Sequence, residues 1–168
     1  MNKNVFLKPG EWFFGKGQGK VSTILGSCVS VVLWHPEKHV LGVSHILLPN
    51  HQQSAMPLSC VKKSDLNGRF ADDLMKIFQL EIALFGIKAS EFKAYLIGGG
   101  NMFPHAQKAP GIGEKNIERC LSLLGALNIP VQSTDVGGPL YRRLTVDIAS
   151  GHFSIEQSEV NRFELLFA

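Results

Sequence analysis

Two side chains in the first third of the chain, Cys28 and His45, could carry out nucleophilic chemistry. A cysteine attacks a carbonyl carbon only as the thiolate, and a free thiol with a pKa of about 8.5 is mostly protonated at neutral pH. A histidine within reach can take that proton, because imidazole titrates close to neutrality. The pair therefore predicts covalent catalysis, with Cys28 as nucleophile and His45 as base.

The elements around this pair are predicted to form a β-hairpin. Residues 29–34 are apolar and β-branched, residues 35–38 (HPEK) break that pattern, and residues 40–48 resume it. The cysteine lies just before the first strand and the histidine lies within the second. The hairpin therefore decides whether the two side chains meet.

The predicted register brings them face to face. With residues 35–38 as the loop, Trp34 pairs with His39 and Cys28 pairs with His45. Directly opposed residues have Cβ atoms about 4.5 to 5.5 Å apart, a span that an imidazole can bridge. A register shift of one residue would turn the two side chains to opposite faces.

Residues 22–28 (STILGSC) place small and flexible residues directly before the cysteine. A catalytic imidazole needs a partner on its far nitrogen to fix one tautomer and one orientation. The hydroxyls of Ser22 and Thr23 are both candidates for this partner of His45. The backbone amides of residues 26–28 are candidates for part of an oxyanion hole, because such turns direct N–H groups toward a common point.

Each of these residues also has a structural interpretation. A single cysteine before an apolar strand is commonly a small buried hydrophobe, so it is the pairing of Cys28 with His45 that favours catalysis. Cys120 falls on the apolar stripe of a predicted helix and is expected in the core, whereas Cys60 lies in a polar segment. No metal or other cofactor is expected, because the possible zinc ligands lack the close paired spacing of structural zinc motifs; these are Cys28, His45, His51 and Cys60.

The bulk composition bounds the class of protein. The chain has 168 residues, 45% hydrophobic and 18% charged, which predicts a single domain over residues 1–168. No segment has the apolar length of a membrane span or of a secretory signal, so a cytoplasmic protein without membrane insertion is expected. The odd count of 3 cysteines argues against a disulfide framework. A net charge of +3 without clustered basic residues gives no reason to expect nucleic acid as a partner.

Elsewhere the pattern alternates between helices and short strands. Apolar residues recur at helical spacing over residues 69–85 and 115–127. Residues 11–20 are predicted to be a turn-rich entry and residues 49–68 a long surface loop. Further strands are predicted at residues 92–97, 131–134, 144–148 and 152–155, the last two as a second hairpin. Together they predict an α/β fold, a layered sandwich of mixed β-sheet with helices on the outer faces.

One long stretch makes the sequence recognisable. Residues 25–49, LGSCVSVVLWHPEKHVLGVSHILLP, resemble the CheD family of chemoreceptor glutamine deamidases. Further matching motifs spread the resemblance over nearly the whole chain: LKPGE at residues 7–11, LIGGGNMF at 96–103, the helix with Asn116, and DVGG at 135–138. The resemblance therefore rests on several motifs.

The resemblance implies a residue for each catalytic role. The nucleophile is the cysteine of the LGSC motif and the base is the histidine of the SH-LLP motif, here Cys28 and His45. The third catalytic residue is a hydroxyl six positions before the cysteine, usually threonine. Ser22 occupies that position in this chain, with Thr23 next to it.

The resemblance also implies the reaction and the partners. Glutamine side-chain amides of methyl-accepting chemotaxis receptors would be hydrolysed to glutamate and ammonia through a Cys28 thioester, and a weak methylesterase activity could use the same route. The phosphatase CheC would be a regulator in organisms that have it. The alternatives are a catalytically silent chemotaxis adaptor that binds receptors or CheC, against which the intact Cys28, His45 and Ser22 argue, and a cysteine protease or other amidase. The family motif, not the Cys–His chemistry, argues against the second alternative.

Overall fold

The computed structural model describes residues 2–51, 56–103 and 110–159. These residues contain nine strands and two α-helices. In chain order they are β1 (Asn2–Phe6), β2 (Trp12–Gly15), β3 (Gln18–Leu25), β4 (Val29–His35), β5 (Val40–Ser44), α1 (Ala71–Leu84), β6 (Lys93–Gly98), α2 (Ile112–Ala126), β7 (Val131–Val136), β8 (Leu140–Asp147) and β9 (Phe153–Glu159). None of the helices in this part of the chain is long and apolar enough to cross a bilayer.

The strands form two sheets, and the helices form a third layer. One sheet has the strand order β1-β3-β8-β9 and the other has the order β2-β5-β4-β6-β7. Each sheet contains one parallel pair, β1 with β3 and β6 with β7, among antiparallel ones. The predicted α/β fold with mixed sheet is therefore confirmed. Both helices pack on the same face of the five-stranded sheet, while the four-stranded sheet covers its other face.

Strand β4 lies in the middle layer, and its sequence reflects that position. All of its residues are buried. Val29, Val31 and Leu33 face the helices, whereas Val32 and Trp34 face the four-stranded sheet. A strand covered on both faces is apolar throughout and does not alternate. This explains why the segment reads as an uninterrupted apolar run.

Both predicted helices are confirmed, with small shifts at their ends. Helix α1 lies within the predicted span of residues 69–85, and α2 begins at Ile112, three residues before the predicted start at residue 115. The first turn of α2 has few apolar residues, so the apolar spacing does not reveal it. Gly113 lies in this turn because a Cβ there would come within 2.4 Å of the carbonyl oxygen of Gly99.

The turn-rich entry predicted for residues 11–20 is wrong. Strand β2 pairs with β5 over Trp12–Gly15, and β3 begins at Gln18. The glycines in this segment suggested turns, but Gly19 is required by close packing between strands. A Cβ on Gly19, at φ 118°, would lie 1.8 Å from the Lys3 carbonyl oxygen of β1. The aromatic side chains are partly buried and pack against the core, with the ring of Phe14 5.3 Å from that of Phe78.

The remaining predicted boundaries are approximately correct. Strand β5 ends at Ser44, short of the predicted 48, and β8 begins at Leu140, ahead of the predicted 144. The predicted second hairpin is confirmed by the antiparallel pairing of β8 with β9. Of the predicted loop at 49–68, residues 52–55 lie outside the described residues; the rest includes short 3-10 turns at Leu58–Cys60 and Lys63–Asp65.

Cys120 is expected to act only as a core side chain. It is fully buried between α2 and the five-stranded sheet, and burial raises the pKa of its thiol to about 12. Cys120→Ala should therefore lower the free energy of unfolding by about 1 kcal/mol, the cost of trimming a small buried group. Urea unfolding of both proteins measures this difference. A loss above about 3 kcal/mol would show that the thiol does more than fill volume.

Candidate active site

The hairpin that carries Cys28 and His45 has a different register from the predicted one. Trp34 pairs with Leu41, whereas the predicted partner was His39, so the loop consists of residues 36–39. His39 adopts φ 53°, a left-handed conformation that is uncommon for residues other than glycine. The predicted direct opposition of Cys28 and His45 is therefore wrong by two residues along the strand.

A shift of two residues keeps both side chains on one face. Val29 and Ile46 form a bridge with N–H···O distances of 3.0 and 2.8 Å, and Cys28 and His45 directly precede these two residues. In an antiparallel pair this makes Cys28 and His45 diagonal neighbours, about 7 to 8 Å apart at the backbone and within reach of an aromatic side chain. Cys28 packs against the core between the two sheets.

Thr23 holds the imidazole of His45 from the opposite sheet. Its hydroxyl oxygen lies 2.6 Å from His45 Nδ1 and 2.8 Å from the carbonyl oxygen of Leu7, and Thr23 is completely buried. A hydroxyl has one proton and a carbonyl can only accept. The Thr23 hydroxyl thus donates to Leu7 and accepts from Nδ1–H, which leaves the lone pair on Nε2. His45 is held in the tautomer that a base requires.

The predicted contact between Ser22 and His45 is absent, and Thr23 makes it instead. Thr23 shares the inward face of β3 with Val21 and Leu25, which are fully buried. Ser22 is half-buried and, as the adjacent strand residue, points to the opposite face. What Ser22 contributes is its carbonyl, which accepts the backbone N–H of Leu7 at 2.8 Å. This bond ties the segment that carries the Leu7 carbonyl to β3.

The backbone of His45 is fixed by the loop that follows Leu7. Gly10 N–H donates to the His45 carbonyl at 2.8 Å, and His45 N–H donates to the Glu11 carbonyl at 3.1 Å. Burial lowers the pKa of His45, and the Leu7 carbonyl and the Glu11 charge oppose that shift without reversing it. The imidazole is therefore neutral at pH 7 and free to accept a proton.

Cys28 rests as a protonated thiol. Burial raises its pKa to about 11, since a thiolate is poorly solvated between the sheets. Burial therefore disfavours the charged form of both side chains.

Three consecutive carbonyl groups at the cysteine each accept a hydrogen bond from a residue far along the chain. Gly100 N–H donates to the Gly26 carbonyl at 2.8 Å and Gly99 N–H donates to the Cys28 carbonyl at 2.7 Å. Asn116 Nδ2 donates to the Ser27 carbonyl at 3.1 Å. A side chain at Gly98 would prevent this approach, since its Cβ would lie 2.3 Å from the Cys28 carbonyl oxygen.

Several contributors to the site have no signature in the sequence pattern. The Leu7 carbonyl, the backbone of residues 10–11 and Asn116 were matched only as parts of motifs, with no role attached. A backbone acceptor cannot be recognised from residue type, but a polar Asn116 on the apolar side of a helix was a visible signal. The other cysteines are exposed (Cys60) or in the helix-side core (Cys120). Residues 2–51, 56–103 and 110–159 contain no cluster of His, Cys, Asp or Glu that could hold a metal ion.

Comparison with known proteins places this chain in a family. The model of the family described as CheD chemotactic sensory transduction matches residues 47–157. A probable chemoreceptor glutamine deamidase CheD of Chromobacterium violaceum is 35% identical over 162 residues, covering 95% of this chain and 80% of the relative. A similarly named protein of Dechloromonas aromatica is 36% identical over 88% of this chain and 83% of its own length. One from Leptospira interrogans is 30% identical over 93% of both chains. This chain therefore belongs to the CheD family.

Proposed function

We propose that this protein is a chemoreceptor glutamine deamidase with Cys28 as nucleophile and His45 as base. The observation that carries the proposal is the contact from Thr23 to His45 Nδ1, which frees Nε2 on the face that Cys28 shares. The names of the relatives, probable chemoreceptor glutamine deamidases, supply the substrate class. This arrangement suits a deamidase, because a side-chain amide is a poor electrophile and requires an activated nucleophile.

In the first half-reaction the thiol attacks the glutamine side-chain carbonyl carbon. The S–C bond forms while His45 Nε2 takes the thiol proton, and the carbonyl oxygen becomes an oxyanion that backbone N–H groups of residues 26–28 stabilise. Collapse of this tetrahedral intermediate breaks the C–N bond. The protonated His45 gives its proton to the departing nitrogen, so ammonia leaves and a Cys28 thioester remains.

In the second half-reaction water hydrolyses the thioester. Nε2 of His45 removes a proton from water, the hydroxyl oxygen bonds to the acyl carbon, and the C–S bond breaks. The proton on His45 returns to the sulfur. The product is a glutamate side chain, and Cys28 and His45 are back in their neutral resting forms. Every step uses groups of this chain and water.

The proposed substrates are methyl-accepting chemotaxis receptors, in which the new glutamates can serve as methylation sites. The phosphatase CheC is proposed as a regulatory partner where the organism has one. Both proposals rest on family membership and on the relatives' names. The arrangement of Cys28 and His45 fits acyl transfer but does not select the receptor.

Mass spectrometry of a co-expressed receptor tests the proposed function. The receptor's cytoplasmic domain should gain glutamate at specific glutamine positions when produced with the wild-type protein, and ammonia should be released. Production with Cys28→Ala should leave those glutamines unchanged. An adaptor without activity would bind the receptor and give identical spectra with both proteins, which would contradict the proposal.

Thr23 and not Ser22 is expected to be the hydroxyl that matters. Thr23→Val keeps the shape of the side chain but removes the acceptor for Nδ1–H, so His45 loses its fixed tautomer and orientation. Turnover should fall by about 10- to 100-fold, because nucleophile and base both remain. Steady-state deamidation of a purified receptor domain measures this loss as a fall in kcat.

Ser22→Ala is the matched control, since it removes a hydroxyl from the neighbouring position on the same strand. Its backbone bond to Leu7 survives the substitution, so turnover should stay near that of the wild type. The reverse pattern, with Ser22→Ala impaired and Thr23→Val active, would return the third catalytic role to Ser22.

A further inference from the structure

Asn116 is buried at the meeting point of the two catalytic segments. It lies on α2 and is fully buried. Its Nδ2 donates to the Ser27 carbonyl at 3.1 Å and to the Leu47 carbonyl at 2.9 Å. Ser27 directly precedes the cysteine, and Leu47 follows His45 by two residues. One amide group therefore joins the backbone of both segments.

The bond to Ser27 sets the direction of the next N–H group. In a planar trans peptide the carbonyl of one residue and the N–H of the next point in opposite directions. Because the Ser27 carbonyl points toward Asn116, the N–H of Cys28 points away from α2. The Gly26 carbonyl points toward the N–H of Gly100 in the glycine loop, residues 98–100, so the N–H of Ser27 is likewise turned away from that loop.

The two donors, Asn116 on α2 and the N–H of Gly100, belong to one wall of the site. A Cβ at Gly113 of α2 would lie 2.7 Å from the Gly100 carbonyl oxygen, so the helix and the glycine loop are in direct contact. The amides of Ser27 and Cys28 are thus directed away from a common wall. An oxyanion hole needs such donors to be fixed before the reaction, since reorientation during the reaction would cost energy.

We propose that Asn116 is a positioning residue that holds the Ser27–Cys28 peptide with its N–H directed at the oxyanion. The proposal rests on the proposed function in taking Cys28 as the nucleophile. Asn116 acts only as a donor: its Oδ1 is buried and has no hydrogen-bond partner among the described residues. A purely structural asparagine would be expected to use both ends of its amide.

The test compares two reactions of the same sulfur, and only one of them forms an oxyanion. p-Nitrophenyl acetate acylates Cys28: the S–C bond forms, the thiol proton passes to His45, and p-nitrophenolate leaves after a tetrahedral oxyanion. Iodoacetamide alkylates Cys28 by direct displacement of iodide, and its own amide takes no part. Both rates are measured on the full chain carrying Cys60→Ser, because Cys60 is exposed and would react first.

Asn116→Leu removes the donors at similar volume. It should slow acylation by at least about tenfold while leaving alkylation nearly unchanged. Cys120→Ala is the control for disturbance of α2, since it lies one turn further along the buried side of the helix, and it should alter neither rate. If Asn116→Leu does not fold, Asn116→Ala carries the same comparison, with circular dichroism as the check on folding.

Three results would overturn the proposal or separate it from the proposed function. Equal losses in acylation and alkylation would show that Asn116 acts on the nucleophile or on the fold. Unchanged acylation in a folded variant would show that Asn116 does not set the peptide. If the wild-type protein is acylated by the ester but leaves receptor glutamines intact, the proposed function fails while the ester comparison still decides the role of Asn116.

Discussion

Cys28→Ala is expected to reduce receptor deamidation to background, a loss of at least about 10⁴-fold in kcat. The substitution removes the only atom to which the acyl group is transferred in the proposed mechanism, and no other thiol can replace it. Cys60 is exposed in a separate turn, and Cys120 is enclosed in the helix-side core. Cys28 is only partly buried, so the alanine variant should keep the fold. Ammonia release from a purified receptor domain measures the loss.

The matched control is Cys60→Ala, which removes a thiol of the same chain and should leave turnover unchanged. Trapping adds a direct readout: a thioester on wild-type protein, quenched with acid, should appear as an acyl adduct on the peptide that contains Cys28. Near wild-type turnover by a folded Cys28→Ala variant would exclude covalent catalysis at this residue. His45, held by Thr23, would then have to act in a reaction that does not pass through a Cys28 thioester.

Chemical reasoning on residue types selected Cys28 and His45 as a candidate pair, because the proposed roles of nucleophile and base depend on local properties of these side chains. The apolar runs on either side made a hairpin the simplest connection, and that hairpin exists. The register of the hairpin was harder to predict, because the loop requires a left-handed backbone conformation at His39 that the residue type does not indicate. The error in register still leaves Cys28 and His45 on the same face of the sheet, since a shift of two residues preserves the alternation of a strand.

The choice between Ser22 and Thr23 needed the direction of β3. Both residues carry a hydroxyl, and counting back from the cysteine favoured Ser22. Side chains alternate between the two faces of a strand, so a residue two positions from a buried one is also directed inward. Leu25 is buried, which places Thr23 and not Ser22 on the inward face. The segment was not recognised as a strand, because its small residues before the cysteine suggested flexibility.

The rest of the site depends on long-range packing that no local pattern encodes. The backbone of residues 7–11 holds His45 through the Leu7 carbonyl, Gly10 and Glu11, but β1 and β2 were both missed on the sequence. The donors that hold the cysteine turn come from the glycine loop and from Asn116, far along the chain. Such contacts form only once the three layers are assembled, so residue type can suggest them but cannot pair them.

His45→Ala is expected to cost at least about 10³-fold in kcat/KM at neutral pH. With a thiol pKa of about 11, very little thiolate exists at pH 7 without a base to remove the proton. The alanine variant should keep the fold, because the Thr23 hydroxyl can still donate to the Leu7 carbonyl at 2.8 Å. Deamidation of a receptor domain measures the loss of turnover. Iodoacetamide alkylation on the Cys60→Ser background measures the loss of reactivity of the Cys28 thiol.

The pH dependence distinguishes a missing base from general damage. In the wild type the active form has a neutral His45, so kcat/KM should fall as the pH decreases through the pKa of His45, which burial holds below its ordinary value of 6.5. Activity should therefore persist into mildly acidic solution. In His45→Ala that acid limb should vanish, and the residual rate should rise steadily with pH as the Cys28 thiolate forms. If the variant kept the acid limb of the wild type, another group would be the base, and the neutral resting pair of Cys28 and His45 would not be the catalytic one.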